Sequence, residues 1–587
     1  MTLHDLSTKL EEFLNSETPE RAQEFFDSPA YDEVFREHKK QIINIITPFL
    51  TAHNAAKNPQ LIQCCENVLL KIAQKHCSTD LILEFLEEVE CSNGDALKFC
   101  TILKPLTECL CKTQDINATV WVLGTIKLYV EDLPVPEDEI PEEEGENLAD
   151  ADSVVTRIIE VYKAILDFLC HIILDVVINS KTATPELRNH LLSFMLSLMG
   201  KPFCFLQPKL LHLPVSSKKN ESLIESIVST MGLLSGDLLR FLQFVDDRNK
   251  NIKLPESTEL EDNVNSEIFH FGYEDKISNL AYAHFYYCLL GTESLQKFIP
   301  QVYHPHYIMH TCFYLSNCLI KTSKCMLISK GLELMKYILD LVDSQSVGCD
   351  ALELDVHTKL LKSITKVMIS CDSNELRKTA LTRLHDYFKI LTLSARYHTL
   401  LYLYKTVDHS GLFGVITGIF KSSITMALDE TPPYTAFTGE RLGVLLKLAC
   451  KLQHGCNTDL VEVSDEVIAV LNLLRFLLIR DKDNTTGIWD FMHGLEIDYL
   501  KPLREGIHLS RAHWHVKIKD LQEESKRAKG VPEVTLTVGG EPLPRMSVKD
   551  KLTMSYQVLT TFDVMESILV RVNECISSNK PTQPMKT

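Results

Sequence analysis

Apolar residues recur at the spacing of an α-helix along almost the whole chain, and little interrupts them. From Leu61 to Ile72 the apolar positions 61, 65, 68, 69 and 72 share one helical face. Asn58-Pro59 ahead of them supplies a capping side chain and then a proline for the first turn. The same grammar returns from Ser323 to Leu339 and from Asp372 to Phe388, where Leu376, Ala380, Leu381, Leu384 and Phe388 form a stripe. Only 22 glycines and 23 prolines punctuate 587 residues. So few breakers suit long helices and argue against a turn-dense β-sandwich.

At roughly 150 residues per domain, a chain this long would hold about four globules. The helical segments suggest another arrangement. Gly331-Leu332 with Met335 and Leu339 can be laid over Ala380-Leu381 with Leu384 and Phe388, and Val68-Leu69 with Ile72 is related. Helix pairs repeating every 40–47 residues or so are the mark of HEAT and armadillo repeats. The expected fold is therefore all-α, a HEAT/armadillo-like helical-repeat solenoid whose core grows along its axis. One short β-hairpin is expected near the C-terminus, where Val534, Leu536 and Val538 alternate before Gly539-Gly540.

The expected organisation is N-terminal helical repeats over 1–130, an acidic loop over 131–152, further repeats over 153–320 and C-terminal HEAT-like repeats over 321–587. In 131–152, eleven of 22 residues are Asp or Glu, none is Lys or Arg, and Pro134, Pro136 and Pro141 punctuate the start. Such a run repels itself and buries nothing, so it reads as a disordered, solvated linker. Asp246–Glu267 and Asp429–Pro433 read as lesser breaks.

Lys and Arg number 60 against 79 Asp and Glu, a net charge of -19. That balance argues against general binding of nucleic acid, which needs cations along the phosphates. The opening residues lack a basic end followed by an apolar run, so no secretory signal is read there. The apolar stretch Ala164–Ile178 carries Asp167, His171 and Asp175 and is expected to be a buried helix, with no membrane partner. Eighteen cysteines include no Cys-x-x-Cys pair, and most sit within apolar helical patterns. They are expected to be free thiols in a reducing compartment, the cytoplasm with access to the nucleus.

A search for chemistry is mostly negative. No phosphate-binding loop, nucleophile elbow, zincin or kinase signature occurs. Gly411, Gly414 and Gly418 read as a tight connection between helices. His304, His306 and His310 lack the accompanying Cys or carboxylate that a metal site needs, and His508, His513 and His515 read as surface or interface residues. The chain is read as a binding scaffold that is not an enzyme and takes no cofactor or metal. Its three tryptophans, Trp121, Trp489 and Trp514, are candidate interface anchors, since Trp, Tyr and Arg dominate interface energetics. Two of them lie near the locally basic 501–530, with eight Lys/Arg against four Asp/Glu.

The same C-terminal third resembles the glomulin family. The resemblance rests on Leu471-Asn472-Leu473-Leu474-Arg475-Phe476, Asp481-Lys482-Asp483-Asn484, Thr486-Gly487-Ile488-Trp489, Leu500-Lys501-Pro502-Leu503, Ser510-Arg511-Ala512-His513, Thr537 to Pro544 and Phe562 to Val572. Upstream, Ile328 to Leu334 and Glu375 to Lys378 look similar, so that about 320–575 is covered. The resemblance implies a non-enzymatic inhibitor of cullin-RING ubiquitin ligases. Such a protein binds the RING-box subunit through C-terminal repeats and masks the site of the ubiquitin-conjugating enzyme. FKBP-type immunophilins and the Met receptor are further partners implied by the family. The alternative is a helical-repeat scaffold or adaptor for immunophilin, receptor or trafficking partners.

A RING groove is apolar with charged flanks, so its occluder needs an apolar anchor and a polar rim. Trp489 is the anchor candidate. Lys501, Arg504, His508 and Arg511 are rim candidates, and 504, 508, 511 and 515 share a helix face. The competing reading is that this face carries structural charge pairs or is simply solvated.

Overall fold

Where the sequence carries apolar stripes, the computed structural model of the chain has helices. It describes residues 3–15, 24, 36–92, 95–136, 153–178, 185–211, 214–216, 219–251, 277–300, 302–528, 537–538, 541–542 and 547–578. Twenty-four α-helices and four strands of two to four residues lie among them, so the fold is all-α. The chain divides into two compact units, 1–341 and 342–587. The expected start of the C-terminal repeats, residue 321, falls in the turn between two helices of the first unit.

The first unit begins α1 (Leu3–Leu14), α2 (Lys39–Ile46), α3 (Ala52–Lys57), α4 (Pro59–His76), α5 (Thr79–Glu90), α6 (Ala96–Thr113) and α7 (Ile116–Asp132). It continues α8 (Ser153–Ile178), α9 (Pro185–Leu198), α10 (Pro208–Leu211), α11 (Leu223–Ser235), α12 (Phe241–Asn251), α13 (Asn279–Gly291), α14 (Pro305–Ile320) and α15 (Cys325–Asp340). A small antiparallel pair, β1 (Pro214–Ser216) and β2 (Lys219–Ser222), precedes α11.

Local chemistry sets the helix starts. The Asn58 side chain accepts the Leu61 N–H at 3.2 Å ahead of Pro59, and Ser78 and Asp115 cap α5 and α7 in the same way. Leu61, Cys65, Val68, Leu69 and Ile72 are all buried, as their spacing predicts. In α8, Ile165, Phe168, Leu169, Ile172 and Ile173 are buried while Asp167 and His171 face solvent. Its charges mark the outer side of an amphipathic helix packed on α6 and α11.

The first unit also buries a lysine. Lys330 on α15 is completely inaccessible and has no carboxylate partner within hydrogen-bond reach among the described residues. Its ammonium donates to the Cys204 carbonyl at 2.8 Å and to His284 Nε2 at 3.1 Å. His284 Nδ1 lies 2.9 Å from the Met199 carbonyl, which fixes the tautomer: Nδ1–H donates and Nε2 accepts. The aromatic face of Tyr287 lies 5.7 Å from the ammonium. One side chain thus joins the end of α9, the turn after it, α13 and α15.

The second unit runs α16 (Asp355–Ser370), α17 (Asn374–Ile390), α18 (Leu393–Thr406), α19 (Ser410–Asp429), α20 (Gly439–Ala449), α21 (Ser464–Arg480) and α22 (Ile488–Leu495). A single π-turn, Glu496–Leu500, then leads into α23 (Lys501–Ala528), and α24 (Val548–Ser578) follows. Between the last two, β3 (Thr537–Val538) pairs antiparallel with β4 (Glu541–Pro542) in the expected hairpin; Val534 and Leu536 lie outside the described residues. Helix α24 packs against both α21 and α23, burying Phe562, Met565, Leu569 and Val572. Helix α19 is long and apolar enough to cross a membrane, but Leu412, Ile416, Ile419, Phe420 and Ile424 are buried and the helix packs on α21.

Some expectations need correction. Gly411, Gly414 and Gly418 form no connection between helices: all three lie inside α19. An added Cβ would meet only ordinary contact at Gly414, 3.5 Å from the Asp465 backbone, and nothing within 4 Å at Gly418. Cys111 and Cys170 are exposed, on the outer faces of α6 and α8. Glu131 and Asp132 end α7, and Asp246–Asn251 end α12; 137–152 and 252–267 lie outside the described residues.

Gly331 sits where α14 and α15 cross. A Cβ there would lie 2.7 Å from Ile320 Cγ1, 2.9 Å from Leu319 Cβ and 3.1 Å from a backbone nitrogen. Gly331→Ala should therefore destabilise the first unit by ~1–3 kcal/mol, because overpacking outweighs the gain of about 1 kcal/mol in helix propensity. Thermal unfolding measures it, and an unchanged or raised Tm would contradict this packing. Burial lowers the Lys330 pKa to about 8. Below that pH the ammonium is charged in both folded and unfolded chains, and the fold bears the full cost of burying it. Above the unfolded value of about 10.4 it is neutral in both, so its cost vanishes as pH rises between the two values. The stability difference between wild type and Lys330→Met should shift in favour of wild type from pH 8 to 10, as read from denaturant titrations at each pH.

Candidate functional site

The five sequence candidates lie on two consecutive helices of the second unit, and the structure uses them differently. Trp489 stands at the start of α22, behind a loop built on Asp481. The buried Asp481 carboxylate accepts the Thr485 and Thr486 N–H groups, both at 2.7 Å, and the Thr486 hydroxyl. Its carbonyl accepts the Trp489 indole N–H at 2.9 Å. Asn484 takes a left-handed conformation, φ 55°, and its side chain accepts the Trp489 backbone N–H at 3.1 Å. Gly487, φ 81°, completes the turn. Trp489 is consequently half-buried, its polar edge fastened to its own loop.

Arg504 and Arg511 turn toward α24. Arg511 bridges Asp563 at 2.8 Å and Glu566 at 2.7 Å, and these carboxylates raise its pKa. Arg504 lies 3.4 Å from Glu496 and 3.3 Å from Asn573. The charge-pair reading of this flank describes both arginines. Lys501 and His508 remain exposed, where the surface of α23 turns away from these arginines toward solvent.

That free side holds residues the sequence reading passed over. Leu509 and Val516 are 52% and 59% exposed, and with Lys501, Glu505, His508 and Ala512 they occupy one stripe. Two large apolar side chains one heptad apart on a solvent face are the signal that a helical wheel of 501–520 would have given. The opposite side is the core face, with Leu503, Ile507 and Ile518 buried. Trp514 lies on that same side, half-buried, with the Lys517 ammonium 4.1 Å from its ring.

The histidine groups have local duties. His304 caps α14, its Nδ1 accepting the His306 N–H at 3.2 Å, and burial lowers the pKa of His310. Among the described residues no three His, Cys, Asp or Glu side chains are placed to hold a metal ion. Buried cysteines are correspondingly unreactive: burial pushes Cys204 and Cys288 up to about 12.

The Asp481 loop and the Arg511 pairs can be told apart by stability. Asp481→Ala strands the buried N–H and hydroxyl of Thr486 and releases the Thr485 N–H, and should cost ~2–4 kcal/mol. Arg511→Ala breaks pairs whose partners face solvent and should cost about 1 kcal/mol or less. Urea unfolding followed by tryptophan fluorescence ranks the two, and the reverse order would show that the loop is not the stronger fastening.

Comparison with known proteins places these features in a family. The sequence model of an uncharacterised protein family described as YAP/Alf4/glomulin matches residues 235–556, which include all of α16 to α23. Glomulin of Homo sapiens is 35% identical over 280 residues, 47% of this chain and 47% of its own length. Glomulin of Mus musculus is 34% identical over 284 residues, with the same coverage. The match spans about half the length of these relatives. Covering more than half of this chain, the family model sets the conclusion: the chain belongs to the YAP/Alf4/glomulin family.

Proposed function

We propose that this protein is a non-enzymatic inhibitor of cullin-RING ubiquitin ligases, binding the RING-box subunit and covering the surface that receives the ubiquitin-conjugating enzyme. The observation that carries the reading is the free stripe of α23, within the family-matched region: Leu509 and Val516 exposed, flanked by Lys501 and His508. An apolar centre with a polar rim is what a shallow apolar groove with charged flanks requires. In this reading Leu509 and Val516 are the anchors. Trp489 positions the turn into α23, while Arg504 and Arg511 hold α23 on α24.

The mechanism is steric exclusion. A rigid helix face laid on the RING needs no catalytic group, because occupying the groove is enough to block transfer. Helix pairs such as α14 with α15 and α16 with α17 pack on one another across short turns, which supports HEAT/armadillo-like hairpins as the repeating element within each unit.

A reconstituted cullin-RING ubiquitylation assay tests the proposal. Inhibition should rise with added protein and be relieved by excess conjugating enzyme. Leu509→Glu with Val516→Glu should weaken binding of the RING-box subunit at least about tenfold, since each lost apolar anchor is worth ~1–2 kcal/mol. Circular dichroism should remain unchanged, because both positions face solvent. Inhibition that ignores the conjugating enzyme, or full affinity in the double variant, would refute this docking mode.

A further inference from the structure

Helix α7 in the first unit is apolar on two sides. Ala118, Val122, Ile126 and Val130 are buried, yet Trp121 and Leu128 on the opposite side are 52% and 63% exposed. A helix that is apolar all round belongs in a core, and an uncovered apolar face of this kind marks a binding surface. Here α7 packs between α5 and α9, and the three helices form a groove of about 870 Å³. Leu83 of α5, also exposed, extends its apolar wall.

Two further details make the groove a receptor. Gly124 lies midway between Trp121 and Leu128, and a Cβ added there would meet nothing within 4 Å. The helix gains no packing from this glycine, which leaves the floor of the groove open. On the α9 wall, Ser193 is 5% exposed, and its buried hydroxyl has no hydrogen-bond partner among the described residues. Buried hydroxyls are normally satisfied, so this one is left for a polar group of an occupant. The rim is acidic: Glu87 and Glu90 on α5 and Glu131 on α7 line it, against one Lys or Arg among the described lining residues, Lys127, 3.7 Å from Glu131. Lys40 reaches Glu87 from outside the groove at 3.0 Å.

We propose that this groove docks an amphipathic α-helix of a partner protein whose apolar stripe is flanked by Lys or Arg. From Trp121 to Leu128 the open face runs about 10 Å along the axis, the distance from i to i+7 on an incoming helix. The stripe would cover Trp121, Gly124 and Leu128, a polar group would reach Ser193, and the basic flank would meet Glu87, Glu90 and Glu131. An acidic rim repels nucleic acid and anionic lipid and selects for a basic flank. The site is independent of the α23 stripe and of the RING reading.

The test uses the full chain and a displayed library of helical peptides, apolar at i, i+3, i+4 and i+7, with flanks varied between Lys/Arg and Glu. Selected binders should carry basic flanks. Their affinity, by fluorescence anisotropy, should fall at least about tenfold for Gly124→Leu, which fills the floor, and several-fold for Glu90→Lys. Gly124→Leu should keep or raise Tm, because its side chain enters open space on a helix. Binders with acidic flanks, or none sensitive to Gly124→Leu, would overturn the proposal. So would self-association, seen by sedimentation and lost in Gly124→Leu, which would assign the groove to a second copy of this chain.

Discussion

An amphipathic helix can bury its apolar stripe only against a neighbour, and most features of this chain follow from how that requirement is met. Where neighbours are complete, the stripe disappears into a core, as Phe562, Met565, Leu569 and Val572 of α24 do between α21 and α23. Contacts there are tight enough for a glycine to matter: Gly331 lets α14 and α15 approach until no Cβ fits. Where a neighbour is missing, apolar side chains stay in water at a cost of ~25 cal/mol per Å², recovered only when a partner covers them. Leu509 and Val516 on α23 and Trp121 and Leu128 on α7 are the exposed counterparts of those core positions.

Polar residues inside the fold join segments that apolar contact alone would leave free to slide. Lys330 ties four segments through a carbonyl, an imidazole and an aromatic face. Its lowered pKa records that burial costs more than these neutral partners return. Asp481 acts at shorter range, folding the six residues after it into a turn that delivers Trp489 to the start of α22. A directional bond fixes geometry in a way that hydrophobic area does not. Both residues are in stretches that carry the family resemblance, and both serve structure.

Helix identity and core faces were legible in the sequence because the 3.6-residue period is written in the burial of each turn; from Leu61 to Ile72 all five expected positions are buried, and Ile62 and Cys64 widen the face. The three glycines of α19 misled because glycine signals a turn only by its freedom, and here all three keep helical backbone inside one helix whose apolar neighbours are buried. The exposed face of α23 was half legible. Composition located a basic stretch at 501–530, but which side of α23 faces solvent depends on α24, some 50 residues later. Arg504 and Arg511, chosen as rim residues, find carboxylate or amide partners on that helix, while Leu509 and Val516, unremarkable in a list of residues, emerge as the exposed pair. Trp121, an anchor candidate from its residue type, could be given no surface for a related reason: nothing in the order of residues says that α5 and α9 flank its helix and leave that side open.

The net charge of -19 averages over surfaces that carry different signs. The α7 groove has an acidic rim, and the α23 stripe lies in a locally basic stretch of the chain. At physiological salt, charges more than about 8 Å apart are largely screened, so each surface presents its own local sign to an approaching partner. Charge at a rim acts mainly on encounter and choice, and the desolvated apolar centre supplies most of the affinity. An overall acidic chain can therefore hold one surface that would select a basic helix and another that would suit an apolar groove with charged flanks, because the discrimination is made within a Debye length of each anchor.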